Sequence, residues 1–290
     1  GKFKVCLEYH IGNCKAPCIG LQSEEDYEQT IAQIREIIKG NLNAVELLAA
    51  QTDFSEAGEL MLFGSEEQVS FLESMMWNRG VLDTAQMSGA FQLLRSNDLI
   101  WSRMVRDYLL GERRPPNDLM AWNADQTRMP YRMHSEYLRQ LFLNNDLAAG
   151  RYSVAGKCIV VSDIQVPIFA IGTVKDHVAP WQSVYKINLL ANSQEVTFVL
   201  TTGGHNAGIV SEPGHKGRRY QVTTMAEKAP YLPPEEWVQA APFKEGSWWP
   251  AWEDWLCRHS TDRVAPPAMG APDRGYPILD DAPGTYVYQQ

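Results

Sequence analysis

The stretch VPIFAIGTVKDHVAPWQSVYKINLLANSQEVTFVLTTGGH, residues 166–205, decides the fold class. Its apolar pattern predicts a strand over Val166–Gly172, a helix from Pro180 to Leu190 and a second strand over 195–201. Two strands that are joined through a helix pair in parallel. The sequence therefore predicts an α/β fold with a parallel pair of strands in its second half.

Each strand of this predicted pair ends in a loop that carries an ionisable side chain. Asp176 lies in the loop after the first strand, and His205 lies in the loop after the second. Loops that follow parallel strands emerge at one edge of the sheet, where catalytic groups collect. A carboxylate there holds the tautomer of an imidazole and stabilises its protonated form. We predict an acid–base pair; the alternatives are a helix N-cap for Asp176 and a surface side chain in a glycine-rich turn for His205.

The composition argues against several classes of protein. Of the 290 residues 44% are hydrophobic and 21% are charged, as in globular proteins, and the net charge of −9 argues against bulk binding of nucleic acid. No apolar run is long enough for a membrane span, and no basic segment precedes an apolar one as in a secretory signal. The five cysteines favour a reducing compartment. We expect a cytoplasmic protein.

The chain reads as two unequal parts, residues 1–41 and 44–290. In the second part, AVELLAA at 44–50 reads as a buried strand, and the region of about 65–150 has mainly helical periodicity. The first part holds a cysteine cluster followed by an amphipathic helix. We expect a small helical segment joined to a larger α/β unit with a helical insertion.

Four tryptophans crowd into GSWWPAWEDW, residues 246–255. Trp248, Trp252 and Trp255 share one face of a helix at this spacing, which favours helix packing over a binding platform. Cys257 follows on the same helix and reads as a small packed hydrophobe. We therefore expect this face of the helix to be buried.

From about Val45 onward the chain resembles the C-terminal part of class I-type polyhydroxyalkanoate synthases. The matching stretches are LLAAQTDFSEAGEL, DLIWSRMVRDYLLGE, DLMAWNADQTRMP, GTVKDHVAPWQSVYK, TTGGHNAGIVSEPGH, EGSWWPAWEDWL and APGTYV. The resemblance implies an α/β-hydrolase core with a helical cap. It assigns the catalytic Asp and His to Asp176 and His205, and it places Trp122 beside the active site.

The same resemblance implies what the protein acts on. Its substrate would be a 3-hydroxyacyl-coenzyme A thioester, which the family polymerises into polyester with release of coenzyme A, and no further cofactor is implied. In such chemistry a cysteine thiolate, deprotonated by the histidine, takes the acyl group. A polyester granule is the implied partner, and the resemblance leaves a homodimer open.

The sequence departs from this family at the nucleophile, which belongs on a G-x-C-x-G turn ahead of LLAAQTDF. The 290 residues contain neither G-x-C-x-G nor G-x-S-x-G, and Cys158 falls in the wrong chain order. We therefore predict that this chain alone does not polymerise. The alternative function is a non-catalytic protein that binds granules or a partner.

Residues 1–41 resemble a piece of UvrC, the nuclease subunit of bacterial excision repair. That family carries a cysteine cluster here, so Cys6, Cys14 and Cys18 are candidate ligands of a soft metal or an iron–sulfur cluster. One ligand of the cluster is missing, and we expect three reduced thiols without metal instead. The join near 41–45 has no flexible linker, so we expect two unrelated fragments spliced together. A DNA-repair module is the third hypothesis, and the net negative charge of the chain argues against it.

Overall fold

A computed structural model describes residues 43–83, 86, 89, 92–94, 96–113, 115, 128–154, 156–261, 265, 268–279 and 281. The strands are β1 (Val45–Leu48), β2 (Val81–Leu82), β3 (Met129–Pro130), β4 (Ser153–Val154), β5 (Lys157–Cys158), β6 (Ile168–Thr173), β7 (Glu195–Thr201), β8 (Arg219–Ala226) and β9 (Phe243–Glu245). The helices are α1 (Glu66–Trp77), α2 (Ser102–Met104), α3 (Tyr131–Glu136), α4 (Trp181–Tyr185), α5 (Ile187–Leu190), α6 (His205–Ile209), α7 (Pro234–Ala240) and α8 (Trp249–Arg258). The cysteine cluster and helix predicted within residues 1–41 lie outside the described residues.

One mixed sheet of five strands, in the order β1-β6-β7-β8-β9, forms the centre of the described chain. Strands β1, β6 and β7 are parallel, with Ile168 opposite both Val45 and Val196. The predicted parallel pair is therefore confirmed, and the protein has an α/β fold. Strands β8 and β9 continue the sheet in antiparallel pairing, which the sequence pattern does not predict.

Burial on both faces explains why the central strands have continuous apolar sequences. Every residue of β6 is buried, as is every residue of β7 after Glu195. Because consecutive side chains point to opposite faces, Phe169 and Ile171 pack with the tryptophans of α8. Ile168 and Ala170 pack on the other face, in a cluster with residues of α4, α5 and α7. Helices thus cover both sides of the parallel strands.

The helix predicted from Pro180 to Leu190 is two short helices in the structure. Helix α4 ends at Tyr185, and α5 begins at Ile187 after a single intervening residue, Lys186. The side chain of Asn188 donates a hydrogen bond back to the carbonyl of Tyr185 across this break. The apolar pattern continues across the interruption, so it predicts one helix where the backbone makes two.

Between β1 and β6, the described residues of 58–154 form a mainly helical insert, in the region where the periodicity predicts helices. It includes α1, α2 and α3. Turns of π-helix flank α2 at Asn97–Trp101 and Val105–Leu109, and a third, Tyr137–Leu143, extends α3. The insert packs on the loop after β1 through a cluster that contains Phe54, Ala57, Leu141 and Phe142.

Helix length bears on membrane insertion, since a span needs about 20 consecutive apolar residues. Helix α1 has 12 residues and α8 has 10. Within the described ranges no helix combines the length and the apolar character that crossing a bilayer requires.

Candidate active site

The structure brings Asp176 and His205 together at the carboxyl edge of the parallel strands. Asp176 follows β6, and His205 is the first residue of α6, which follows β7. Nδ1 of His205 lies 2.7 Å from Oδ2 of Asp176. Because a carboxylate only accepts hydrogen bonds, Nδ1 carries the proton, and Nε2 is the ring nitrogen that can take a second one.

The carboxylate of Asp176 is buried and held on both of its oxygens. Its side chain is 0% exposed, and Oδ1 accepts hydrogen bonds from the backbone N–H groups of Val178 at 2.9 Å and Ala179 at 2.8 Å. The hydroxyl of Thr173 donates to Oδ2 at 3.5 Å. The N-cap residue of α4 is Pro180. Asp176 accepts its hydrogen bonds from the turn that precedes α4, so it is not the N-cap of that helix.

His205 is buried and is not a surface side chain of its glycine-rich turn. Its side chain is 8% exposed. Its imidazole contacts the carboxylate of Asp176, which is itself fixed by backbone donors, so the imidazole is held in one tautomer and one orientation. This arrangement can accept a proton from a bound thiol or hydroxyl and stabilise the imidazolium that results.

Two glycines allow the loop of His205 to pack against the end of β6. Gly203 has a φ of +117°, which favours glycine, and a Cβ there would lie 2.8 Å from Cα of Gly208. A Cβ on Gly208 would lie 2.6 Å from Cγ2 of Thr173, the residue whose hydroxyl reaches Asp176. The glycines of TTGGHNAG thus permit a close approach that brings the imidazole to the carboxylate.

Arg218 also holds this loop, although no motif singles it out. Its guanidinium donates from Nη2 to the carbonyl of Ala207 at 2.6 Å and from Nη1 to the carbonyl of Thr202 at 3.3 Å. The only sequence signal is a cation just before β8, and that signal does not indicate a partner 11 residues upstream.

The other predicted site residues are not among those that the structure describes. Trp122, Cys6, Cys14 and Cys18 lie outside the described residues. Among the described residues no group of three His, Cys, Asp or Glu side chains could hold a metal ion. At the N-terminal cysteines, the candidate metal site and the expectation of three reduced thiols without metal both stay predictions.

The two cysteines that the structure describes are exposed. Cys158 lies in β5, and Cys257 lies in α8. The prediction that Cys257 is a packed hydrophobe is wrong. Trp255 occupies the buried side of α8, whereas the thiol of Cys257 is exposed and lines a cavity of about 650 Å³. The lining of that cavity includes Thr197, Thr224 and Lys244 and contains neither Asp176 nor His205. Neither thiol lies in the loops that carry the pair.

Comparison with known proteins separates the two parts of the chain. The family model of the UvrC/Cho excinuclease middle domain matches residues 1–37. The UvrABC system protein C of Bacteroides fragilis is 54% identical over 65 residues, which are 20% of this chain and 11% of that protein. The first part is therefore similar to a short piece of a UvrABC system protein C.

The long second part matches a different group of proteins. The poly(3-hydroxyalkanoate) polymerase of Methylorubrum extorquens is 39% identical over 246 residues, which are 85% of this chain and 40% of that protein. The poly(3-hydroxyalkanoate) polymerase subunit PhaC of Rhizobium meliloti is 38% identical over 246 residues, 85% of this chain and 39% of that protein. The chain thus spans about two fifths of the length of the polymerases that it matches. The N-terminal segment of this chain is therefore similar to a part of UvrC-type proteins, and the long segment that follows is similar to a part of poly(3-hydroxyalkanoate) polymerases.

Proposed function

We propose that residues 44–290 carry the acid–base part of an acyltransferase site that polymerises 3-hydroxyacyl-coenzyme A into polyester. The observation that carries this proposal is the 2.7 Å contact between Nδ1 of His205 and Oδ2 of Asp176 at the carboxyl edge of parallel strands. His205 is the proposed general base, and Asp176 orients it. The similarity to poly(3-hydroxyalkanoate) polymerases supports this choice of substrate.

The fold that we propose for this part is a partial α/β-hydrolase fold. Its support is the chain order, because an Asp and then a His follow two successive parallel strands late in the sequence. The helical insert between β1 and β6 is the proposed cap, at about residues 65–150. In this arrangement the cap and the carboxyl edge of the sheet enclose the acyl chain, with Trp122 beside it.

The proposed reaction uses His205 twice in each cycle. First, a thiol gives its proton to Nε2 and its sulfur attacks the thioester carbonyl, so that the bond to the sulfur of coenzyme A breaks and the imidazolium protonates the leaving thiolate. Then the hydroxyl of the next monomer gives its proton to Nε2, and its oxygen attacks the enzyme-bound acyl group. The bond from the acyl carbon to the enzyme sulfur breaks, and the imidazolium protonates the released thiolate. Asp176 stabilises the imidazolium in both steps.

We further propose that this chain by itself does not release coenzyme A. The 290 residues contain no G-x-C-x-G, and neither Cys158 nor Cys257 lies in the loops of the pair. Loss of a nucleophile removes several orders of magnitude of rate. Coenzyme A release from 3-hydroxybutyryl-coenzyme A by the purified chain, measured by chromatography, should equal that of its His205→Gln variant. Release that depends on His205 would overturn this statement.

A hybrid enzyme tests the acid–base assignment directly. In it, residues 44–290 replace the matching segment of the Methylorubrum extorquens polymerase, so that the nucleophile comes from that protein. We expect the hybrid to release coenzyme A and to make polymer, and we expect Asp176→Asn to lower its rate by about 10³–10⁴-fold. His205→Gln should lower the rate at least as much. A folded hybrid that is inactive, or one that is indifferent to both substitutions, would contradict the assignment.

A second candidate function is binding to polyester granules without catalysis. It is favoured by the large apolar side chains that the helical insert exposes, namely Leu62, Phe71, Trp77, Trp101, Tyr108 and Leu109. Large apolar side chains of this kind lose their contact with water when they meet an apolar polymer. Co-sedimentation of the chain with poly(3-hydroxybutyrate) granules, together with an inactive hybrid, would favour this function over the first. No co-sedimentation would remove it.

A further inference from the structure

Helix α6 has only five residues, so the carbonyl groups at its end have no partner within the helix. Three side-chain N–H groups from other elements reach them in succession. Nη2 of Arg218 donates to Ala207 at 2.6 Å, Nε1 of Trp248 donates to Gly208 at 3.1 Å, and Nε1 of Trp249 donates to Ile209 at 3.0 Å. Each of the last three carbonyls of α6 is therefore bonded by a separate side chain.

These donors bond a helix that is too short to be stable by itself. A single helical turn is unstable in isolation, since nucleation orders several residues for one or two hydrogen bonds. Within the turn, the N–H of Gly208 bonds the carbonyl of Gly204 at 2.7 Å, and that of Val210 bonds Asn206 at 2.9 Å. The direction of the turn, and with it the direction of the His205 side chain, must be set from outside.

The anchors lie on both sides of His205 along the chain. Arg218 bonds the carbonyls of Thr202 and Ala207, three residues before His205 and two residues after it. Trp248 is 1% exposed and packs its ring against Phe169 of β6, with centroids 6.1 Å apart. The end of α6 is thus bonded to a side chain that is fixed in the core of the sheet.

We propose that Arg218, Trp248 and Trp249 are positioning residues for His205: they hold α6 in the one orientation that keeps Nδ1 at Asp176. This inference rests on the proposed function, because it gives the anchors a purpose only if the pair does acid–base chemistry. The tryptophan-rich segment, residues 246–255, thus has a role in addition to packing. The indole N–H groups of two of its tryptophans take part in the geometry of the site.

The chain supplies a matched control for each substitution. Trp249→Phe removes an indole N–H that bonds α6, whereas Trp252→Phe removes one that is buried without a hydrogen-bond partner among the described residues. Arg218→Gln removes the bonds to Thr202 and Ala207, whereas Arg219→Gln removes a neighbouring cation whose guanidinium lies over the ring of Phe243. Within each pair the two variants lose the same chemical group.

The test is proton NMR of the whole chain with ¹⁵N-labelled histidine. The proton on Nδ1 of His205, assigned by its loss in His205→Gln, should be shifted downfield and protected from exchange with water by the bond to Asp176. We expect Trp249→Phe and Arg218→Gln to speed its exchange at least tenfold while the amide spectrum of the sheet is retained. Trp252→Phe and Arg219→Gln should leave the rate within twofold, and Arg218→Lys should restore part of the protection.

Equal effects of the anchor and control variants would overturn the proposal, as would an absence of any effect. A wild-type resonance that exchanges too fast to be seen would also overturn it, because the pair would then not be held. This measurement needs no turnover, so its outcome is separate from that of the hybrid enzyme. Protection that depends on the anchors, together with an inactive hybrid, would overturn the proposed function and leave the anchors as structural contacts.

Discussion

The carboxyl edge of the sheet and the helical insert differ in how completely they bury their own apolar surface. At the sheet, Phe169 and Phe198 are at most 1% exposed, and helices cover both faces. On the insert, Trp77 is 73% exposed and Tyr108 is 77% exposed. The described residues therefore bury the apolar side chains of the central strands, whereas a large part of the apolar surface of the insert has no cover among them.

The difference is visible in the helices themselves. Helix α1 buries only Val69 and Met76, and α2 with its flanking π-helical turns has no buried residue among those described. By contrast, the five-residue helix α6 is bonded at each of its last three carbonyls. The apolar residues of the insert thus do not form a core as those of the sheet do. We therefore expect the free energy of unfolding to depend mainly on the sheet.

The largest expected effect on stability is that of removing an aromatic ring from the core of the sheet. Phe198 is 1% exposed and lies edge-on to Tyr185 and Trp237, with centroids 4.9 and 5.0 Å away. We expect Phe198→Ala to lower the free energy of unfolding by about 3–5 kcal/mol, through lost burial and the cavity that remains. The control is Phe71→Ala on α1, at a ring that is 65% exposed, with an expected change within about 0.5 kcal/mol. Urea unfolding followed by tryptophan fluorescence measures both, and equal losses would show that the insert contributes as much to stability as the sheet.

A buried histidine makes the insert sensitive to acid. His134 of α3 is 5% exposed, its Nδ1 has no hydrogen-bond partner among the described residues, and burial lowers its pKa from 6.5 to about 4. Between these two values the unfolded chain binds more protons than the folded one, so stability is present above pH 6.5 and falls as the pH drops toward 4. The full loss is roughly 3 kcal/mol.

Urea unfolding at several pH values between 7 and 4 tests this sensitivity. The wild-type chain should lose stability faster than His134→Leu, which has no group to protonate at that position. The difference between the two curves isolates the histidine from the carboxylates, which titrate in both proteins. Parallel curves would show that the imidazole is hydrated and that the insert is looser than its burial indicates.

A methyl group at the site loop tests the close packing of the sheet edge. In Gly208→Ala the added Cβ would lie 2.6 Å from Cγ2 of Thr173, so the loop or the strand must shift. We expect a loss of about 1–3 kcal/mol. Gly64→Ala, on the insert, is the control, since its Cβ would meet the carbonyl of Met61 at 3.4 Å, an ordinary contact. Thermal unfolding measures both; similar shifts in Tm would mean that the edge yields as easily as the insert.

The smallest expected effect concerns an ion-pair cluster that joins α1 to the π-helical turn after α3. Arg139 bonds Glu66 at 2.6 Å and Glu73 at 2.7 Å, with its side chain 32% exposed. The hydrogen bond from Arg139 lowers the pKa of the Glu73 carboxyl. We expect Arg139→Ala to cost about 0.2–1 kcal/mol, and less in 1 M salt, because partly exposed pairs are screened. Arg79→Ala, at a local pair with Asp83 on a side chain 63% exposed, should cost less. A loss above about 2 kcal/mol that persists in high salt would show that the insert depends on this cluster for its stability.

Particular residues show where prediction from the sequence ends. The apolar runs of β6 and β7 predict buried parallel strands because nothing polar interrupts them, and the positions of Asp176 and His205 after those strands predict their meeting. Strand β8, RYQVTTMA, has no such run, since Gln221 and two threonines break it. In the structure the amide of Gln221 bonds the carbonyls of Val238 and Ala241, which are 17 and 20 residues away. The same holds for Cys257, whose exposure depends on which face of α8 meets the sheet.

The α/β class, the parallel pair of strands and the two ionisable groups at their ends could be predicted from the residues alone, because they follow from local periodicity and chain order. The way in which His205 is held depends on contacts between distant parts of the chain. Its anchors Arg218, Trp248 and Trp249 are donors whose acceptors lie 11 to 40 residues away in the chain. The sequence does not show which acceptor a given hydrogen-bond donor meets. The pairing arises when the folded sheet brings the two elements within bonding distance.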